Sequence, residues 1–383
     1  MRFSSSVVSG LAVLSGSVLA HPGHDISHEI LERREYLSSV KRTNLDHCAP
    51  KLKARGVEKR NVERRAALLE KARAKRGLHK KRDLASVLAT SHNSTGLGYT
   101  PNTDATTLFA GYNACLLTPE VTQGPYYVGG EYVRENIIED QEGVDTILDY
   151  QVIDINTCEP VTDVYVEMWH CNATGVYGGI VASGNGDSSD ETNIDNTWLR
   201  GIQKTNTDGV AQFETIFPGH YTSRATHIHI MIHQGAVLLS NSTLGNNVSA
   251  SHVGQAFFDQ DLISAVELTA PYNTNTQELT TNADDGILSE ETATEGVDPF
   301  YEYTLLGDTI TDGIFGWIAF GINATSTTSI TPAAFYYKEG GVANPNSGPP
   351  GGSGGSAPNG TAPGSSASAS ASASASASAS ASA

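Results

Sequence analysis

Long apolar runs and cysteine are both scarce in this chain of 383 residues. Beyond the first 20 residues, no window approaches the roughly 18 consecutive apolar residues that a membrane-spanning helix needs. The four cysteines include no C-x-x-C pair, and their spacing fits no zinc pattern. The acidic loop at residues 184–197 also lacks the ligand spacing of an EF-hand, so it gives no support for a calcium site. We therefore expect a protein that does not span a membrane and carries none of these common metal motifs.

Positive charge is almost absent from the larger part of the chain. From residue 83 onward there are 5 Lys and Arg against 34 Asp and Glu, whereas residues 21–82 carry 18 against 8. Such asymmetry is typical of two segments with different roles. The basic segment has a helical apolar spacing and ends at the dibasic site Lys80-Lys81-Arg82. We interpret residues 21–82 as either a propeptide that is removed or a retained arm that packs on the domain or makes dimer contacts.

The first 20 residues have the composition of a signal peptide. A single positive charge at Arg2 precedes an apolar run that is interrupted by small polar residues and ends near Ala20. A membrane anchor is the alternative, but the run is too short to span a bilayer. We expect a secreted, extracellular protein with no nucleic-acid partner. Six Asn-x-Ser/Thr glycosylation sequons agree with that route: Asn93, Asn172, Asn241, Asn247, Asn323 and Asn359.

The C-terminal residues 341–383 lack the apolar content of a folded segment. They are rich in Gly and Pro and then alternate Ser and Ala. A lipid-anchor signal would require a hydrophobic stretch at this end, and there is none. We expect a disordered tail, so the globular unit is predicted to cover residues 83–340.

Short β-strand patterns dominate the globular unit. Residues 147–155 and 164–169 are β-branched and aromatic with a Glu-Pro turn between them, which predicts a hairpin. In residues 225–233 isoleucines alternate with histidines, so one strand face is packed and the other carries imidazoles. We predict an all-β fold, a β-sandwich with Greek-key type connections preceded by the helical basic segment. On the imidazole face, His233 is expected to point to solvent.

The cysteines are expected to pair, since export places them in an oxidising compartment. Cys158 and Cys171 bracket the predicted hairpin. They are the predicted disulfide.

Tyrosines and histidines cluster where the predicted strands begin and end. Tyr177 follows one strand, and Tyr221, Arg224, His227 and His229 lie within nine residues at the entry to another. Two histidines at alternate positions of a strand aim two nitrogen donors at one point, and imidazole binds iron, copper, zinc or nickel. The cluster therefore predicts a metal site.

This ordered combination resembles the intradiol ring-cleavage dioxygenase family over residues 124–261. The family pattern is a strand with Gly-x-Tyr after it, then Pro-Gly-x-Tyr and Arg-x-x-His-x-His, all present here. The resemblance implies a non-haem Fe(III) ion in a β-sandwich core, held by Tyr177, Tyr221, His227 and His229. Fe(III) suits this set because a hard, strongly Lewis-acidic cation can ionise a phenol whose ordinary pKa is about 10.

The same resemblance implies a reaction and roles for further residues. A small aromatic diol of the catechol type would be cleaved by O2 to a muconate-type diacid. Tyr221 would be displaced when the diol binds. Arg224 would stabilise the charged ring, and Pro125 and Tyr126 would line the substrate pocket.

Several alternatives stay open at this point. The spacing between Tyr221 and His227 is short for the family, which leaves the particular catechol undecided, and the scarcity of cations disfavours a carboxylated one. A non-catalytic β-sandwich that binds wall polymer or phenols is the second interpretation. A third is copper binding by His21 at a processed N-terminus. A homodimer through N-terminal helices and an association with the cell wall are also compatible with the sequence.

Overall fold

The computed structural model describes residues 45–78, 124–244, 249–250, 252–292 and 297–347, with short isolated stretches at 19–21, 24–25, 31 and 114–116. Several predictions fall wholly or largely outside these residues: the signal peptide, the dibasic site, the C-terminal tail, and the sequons at Asn93, Asn247 and Asn359. Within the described part, no helix combines the length and apolar character needed to cross a bilayer.

Short helices flank a larger number of strands. The α-helices are α1 (Ala49–Ala54), α2 (Val57–Lys75), α3 (Gln260–Val266) and α4 (Gly286–Thr292). Single 3-10 turns are Asp46–Cys48, Glu191–Asp195, Tyr272–Thr274 and Ile310–Asp312. The strands are β1 (Leu19–His21), β2 (His24–Asp25), β3 (Ala114–Leu116), β4 (Val128–Gly129), β5 (Asp145–Asp154), β6 (Tyr165–Trp169), β7 (Arg200–Lys204), β8 (Val210–Ile216), β9 (His227–His233), β10 (Ser249–Ala250), β11 (His252–Phe257), β12 (Glu302–Leu305), β13 (Ile314–Ile322), β14 (Thr328–Ser329), β15 (Ala334–Tyr337) and β16 (Gly340–Ala343).

Two sheets pack face to face around one apolar core. One has the order β11-β9-β6-β7 and the other β12-β13-β5-β8, with β3 also paired to β13. The core between them takes side chains from both, such as Tyr150 and Phe213 from one sheet and Met168 and Ile230 from the other. A smaller sheet has the order β16-β15-β4. The predicted all-β sandwich with a helical N-terminal segment is confirmed.

Both faces of β9 are buried, and they alternate as the sequence predicts. Ile228, Ile230 and Ile232 enter the core between the sheets, whereas Met231 packs in a second cluster that contains Tyr177 and Tyr221. The imidazole face is therefore covered by loops.

The expectation that His233 points to solvent is wrong. His233 is 2% exposed, and its Nε2 lies 2.5 Å from Oε2 of Glu167. Tyr127, from the loop that covers this face, donates a hydrogen bond to the same oxygen at 3.1 Å.

The predicted hairpin of β5 and β6 is also wrong, because these strands lie in different sheets. β5 pairs with β13 and β8, whereas β6 pairs with β9 and β7. The chain crosses between the sheets through turns in which Cys158 and Asp163 have positive φ angles of 56° and 61°. Apolar alternation identifies a strand and its faces but does not identify its partner.

The predicted disulfide between Cys158 and Cys171 is wrong for the same reason. Cys158 bonds instead to Cys48 in the N-terminal segment, with a Cα–Cα distance of 5.2 Å. Cys171 is a buried free thiol that donates to the carbonyl of Gly219 at 3.2 Å. The disulfide therefore ties the basic segment to the sandwich.

Helix α2 lies on the outer face of the β5 sheet. The carboxylate of Asp149 on β5 accepts from Arg64 and Arg65 at 2.8–3.1 Å and is fully buried. One helical turn before these arginines, Asn61 Nδ2 donates to Oε1 of Gln151 at 2.7 Å. Because Asp149 and Gln151 alternate with core residues along β5, the helix covers the outer face of that strand.

Candidate metal centre

Two loops bring the predicted tyrosine ligands together. Gly175, in the loop before Tyr177, has φ +80°, and a Cβ there would lie 2.1 Å from the carbonyl oxygen of His220. Gly219 approaches the first loop equally closely, and its N–H donates to the carbonyl of Asn172 at 3.2 Å. Only glycine at position 175 tolerates both the left-handed conformation and the close approach of the His220 carbonyl. As a result, the rings of Tyr177 and Tyr221 lie 5.5 Å apart.

Asparagine side chains fix the backbone of Tyr177. Asn185 accepts from the Tyr177 N–H at 2.7 Å and donates to its carbonyl at 2.8 Å, and Asn193 donates to the same carbonyl at 2.9 Å. Both asparagines are buried, although the acidic residues around them are exposed. Sequence reasoning missed them because the loop has the composition of a solvated insertion.

The two histidines aim their Nε2 atoms at one point. These nitrogens are 3.1 Å apart, and the Tyr221 hydroxyl lies 3.3 Å from Nε2 of His227. His227 Nδ1 donates to the carbonyl of Ala225 at 2.6 Å, which places the proton on Nδ1 and the lone pair on Nε2. Trp169 stacks on His229 with a ring separation of 4.8 Å and holds that ring in place.

Burial keeps both phenols protonated in the absence of a cation. It raises the pKa of Tyr177 well above the ordinary value, and the neighbouring Tyr221 raises it further. Burial likewise raises the pKa of Tyr221, while the charge of Arg224 acts in the opposite direction on both phenols. The Tyr177 hydroxyl is buried and makes no hydrogen bond of normal geometry within the described residues, although Tyr221 lies beside it.

The donor set fits a ferric ion. Nε2 of His227 lies 3.1 Å from Nε2 of His229 and 3.3 Å from the Tyr221 hydroxyl, so these donors are close enough to share one ion. The buried Tyr177 hydroxyl makes no hydrogen bond of normal geometry in the described part of the chain, as expected of an oxygen that serves as a ligand. Two phenolates would also offset much of the charge of Fe(III).

A second cluster of possible metal ligands does not form a site. Among the described histidine, cysteine and carboxylate side chains, the only group of three or more that comes together at ligand distances is His47, Cys48 and Cys158. Both sulfurs are in the disulfide, so they are not available as thiolates.

Arg224 is fully buried, and its charge acts on both Tyr177 and Tyr221. Its Nε donates to Oδ2 of Asp285 at 2.8 Å and its Nη2 to Oε1 of Gln255 at 2.5 Å. The third nitrogen, Nη1, is buried and has no hydrogen-bond partner among the described residues. Burial lowers the pKa of Arg224, but Asp285, Tyr221 and Tyr177 together raise it by more, so the net shift is upward.

Gln255 and Asp285 were missed by sequence reasoning. Gln255 stands opposite His229 in the β11–β9 pairing, a position that only the strand register reveals. Asp285 precedes α4, some 60 residues from Arg224 along the chain.

The predicted pocket residues behave differently from each other. The ring of Tyr126 lies 4.9 Å from that of Tyr177 and 6.3 Å from that of Tyr221, so it joins the cluster. Burial, with a smaller effect of Cys171, raises its pKa to about 12. Pro125 precedes it and is half-buried.

The described sequons differ in exposure. Asn241 is exposed, whereas Asn172 and Asn323 are half-buried. Asn172 Oδ1 accepts from the N–H groups of Thr174 and Val176 and shapes the turn before Tyr177. Glycosylation at these positions stays a prediction.

Comparisons with known proteins agree on one relationship. A family model described as "Dioxygenase" matches residues 122–243. The curated catechol 1,2-dioxygenase 1 of Acinetobacter lwoffii is 26% identical over 137 residues, which are 30% of this chain and 42% of that enzyme. The chain thus spans less than half the length of this curated relative.

Two solved structures extend the comparison. An intradiol ring-cleavage dioxygenase from Tetranychus urticae is 31% identical and aligns over 55% of this chain and 95% of its own, with a TM-score of 0.44. Catechol 1,2-dioxygenase from Pseudomonas arvilla is 18% identical, with 54% and 62% coverage and a TM-score of 0.33.

Proposed function

We propose, from the premise that this chain belongs to the intradiol ring-cleavage dioxygenase family, that it opens the ring of a catechol-type diol with O2. The product would be a muconate-type diacid that contains both oxygen atoms, and the reaction would take place outside the cell. Fe(III) would be held by Tyr177, Tyr221, His227 and His229. The observation that carries the proposal is that Nε2 of His227 lies 3.1 Å from Nε2 of His229 and 3.3 Å from the Tyr221 hydroxyl.

The ion would supply Lewis acidity that binds the diol in its anionic form and allows it to react with O2 without a reducing cofactor. The protein supplies the orientation. The hydrogen bond of His227 Nδ1 to Ala225 and the stacking of Trp169 on His229 fix both imidazoles before any ion binds. Tyr126 packs against both tyrosines and helps to exclude water from the site.

Tyr221 is the residue suited to accept a proton from the diol. Burial raises its pKa, so the phenolate form of Tyr221 would be a strong base. Its hydroxyl oxygen would take one of the two protons that the diol loses.

Arg224 would stabilise negative charge on the ring of the bound diol. Its Nη1 is buried and has no hydrogen-bond partner in the described part of the protein, so this nitrogen can donate to an added ligand. Of the five cations after residue 83, Arg200 also lies in this region, where its Nε and Nη2 donate to the carbonyls of Gly178 and Tyr126. With Arg200 engaged, we propose that uncharged catechols are preferred over carboxylated ones.

Metal analysis and a visible spectrum of the purified protein test the proposal. We expect about one iron per chain, a tyrosinate-to-iron band in the visible region that shifts when catechol is added without air, and equal consumption of O2 and catechol. Tyr177→Phe should lose most of the band and the activity. Tyr337→Phe, at a tyrosine that is 42% exposed, is the matched control and should retain both. A colourless wild-type protein that holds zinc or copper would rule the proposal out.

A further inference from the structure

We propose that Asp285 is a positioning residue that holds Arg224 in the orientation needed to bind the ring of the diol. The inference rests on the proposed function. Asp285 lies outside residues 122–243, the part matched by the family model, and directly before α4. It is 1% exposed, and its side chain and that of Arg224 are both fully buried.

Each oxygen of the Asp285 carboxylate has a defined partner. Oδ2 accepts from Nε of Arg224 at 2.8 Å and from the N–H of Ala225 at 2.7 Å. Oδ1 accepts from the N–H of Leu288 at 2.8 Å, in the first turn of α4. Because three donors hold it, the carboxylate cannot rotate without losing at least one buried hydrogen bond.

These contacts determine which nitrogens of the Arg224 guanidinium already donate a hydrogen bond. Nε donates to Asp285 and Nη2 donates to Gln255. Of the three nitrogens, only Nη1 is left to donate to an added ligand. A guanidinium is planar with donors in a fixed fork, and fixing two nitrogens fixes the direction of the third. Asp285 therefore specifies where Arg224 can donate.

The same carboxylate also acts on the first histidine. Asp285 accepts a hydrogen bond from the N–H of Ala225. The carbonyl of Ala225 in turn accepts a hydrogen bond from His227 Nδ1 at 2.6 Å. The Asp285 carboxylate thus holds Arg224 directly, and it holds the tautomer of His227 through Ala225.

A purely structural ion pair is the competing interpretation, and the molecule contains a matched example. Asp149 is equally buried and is paired with Arg64 and Arg65, on the outer face of the other sheet. Removing either carboxylate leaves buried arginine charge uncompensated and should cost stability. Only Asp285 should also affect the ligand.

The test compares Asp285→Asn and Asp149→Asn in the full-length iron-loaded protein. The readouts are urea unfolding, iron content, the dissociation constant of catechol from the visible band without air, and kcat. We expect both variants to lose stability. Asp285→Asn should weaken catechol binding and lower kcat at least tenfold while iron is retained, and Asp149→Asn should change neither more than twofold.

Asp285→Glu keeps the charge but moves the carboxylate by one methylene, and it covers the case in which Asp285→Asn does not fold. We expect it to fold with near-normal iron content and to bind catechol at least threefold more weakly. Wild-type catechol affinity and kcat in any folded Asp285 variant would overturn the inference. Failure of the proposed function is distinguishable, because the wild-type protein itself would then neither hold iron nor bind catechol.

Discussion

At the scale of single residues, the interior of this protein contains ionisable side chains in addition to the apolar ones that form the core of a β-sandwich. Glu131 is fully buried, and neither carboxylate oxygen has a hydrogen bond among the described residues. Nε of Arg200 lies 3.9 Å from it. Burial raises the pKa of Glu131 to about 8, and Arg200 only partly opposes that rise. Glu131 is therefore mostly protonated at neutral pH.

The protonation of Glu131 predicts a pH-dependent stability. A carboxyl group whose folded pKa is raised stabilises the fold below its unfolded value of 4.5, and that contribution is lost as the pH rises towards about 8. For this one group, the free energy of unfolding changes by at most about 1.4 kcal/mol per pH unit. Glu131→Gln should remove this slope. Its stability relative to wild type should therefore be higher at pH 9 than at pH 5, as measured by urea unfolding at both pH values. The exposed Glu191→Gln is the control and should leave the wild-type profile unchanged.

A second residue-scale prediction concerns Asn185. Asn185→Ala would leave the buried N–H of Tyr177 without a partner, which should cost about 1–3 kcal/mol and loosen the tyrosine. We expect weaker iron retention during dialysis against a chelator and a less intense visible band. Asn206→Ala removes a comparable turn contact, to the N–H groups of Asp208 and Val210, between β7 and β8. Equal iron loss in both variants would contradict a specific role for Asn185.

At the scale of elements, β9 shows what a sequence pattern can and cannot predict. Its alternation correctly separated core isoleucines from ligand-face histidines, because a side-chain period of two follows from strand geometry. The residues singled out by the family motif, Tyr177, Tyr221 and Arg224, lie near one another in the structure, and their roles stay predictions. Strand pairing was not predictable, so the β5–β6 hairpin and the Cys158–Cys171 bond were wrong, and Gln255 and Asp285 were missed. Those features depend on contacts between residues far apart in the chain.

The contacts of helix α2 with Asp149 predict how the stability of the protein depends on pH. Burial raises the pKa of Asp149, but Arg65 and Arg64 outweigh it and the net shift is downward. A depressed carboxyl pKa gives stability that is present above the unfolded value of 3.8 and is lost as the pH falls through the folded value. Asp149→Asn should therefore be less stable than wild type by about 3–5 kcal/mol at pH 5–7, with a smaller difference below pH 4.

Urea unfolding across that pH range measures the effect. The control is Asp163→Asn, which removes a carboxylate that is 80% exposed and paired with Lys204. An exposed pair contributes about 0–1 kcal/mol, so this variant should remain close to wild type. A similar, pH-independent loss in both variants would contradict the role assigned to α2.

At the scale of the whole molecule, the Cys48–Cys158 bond spans 110 residues of sequence. Closing a loop of that length stabilises a protein by roughly 4–5 kcal/mol in the chain-entropy model. Cys48→Ser should lower the free energy of unfolding by about this amount. Reductant should destabilise the wild-type protein similarly and leave Cys48→Ser unaffected, and a wild type indifferent to reductant would contradict the prediction.

The disulfide and the buried arginines of α2 change what a cut at Lys80-Lys81-Arg82 would do. Cleavage there would not release residues 45–78, which stay bonded through Cys48 and docked on Asp149. The processed protein would be a covalent two-chain molecule, seen as one band on a non-reducing gel and as two after reduction. Its basic light chain would remain as a third layer on the outer face of the β5 sheet, where α2 packs with Ile147, Phe315 and Trp317.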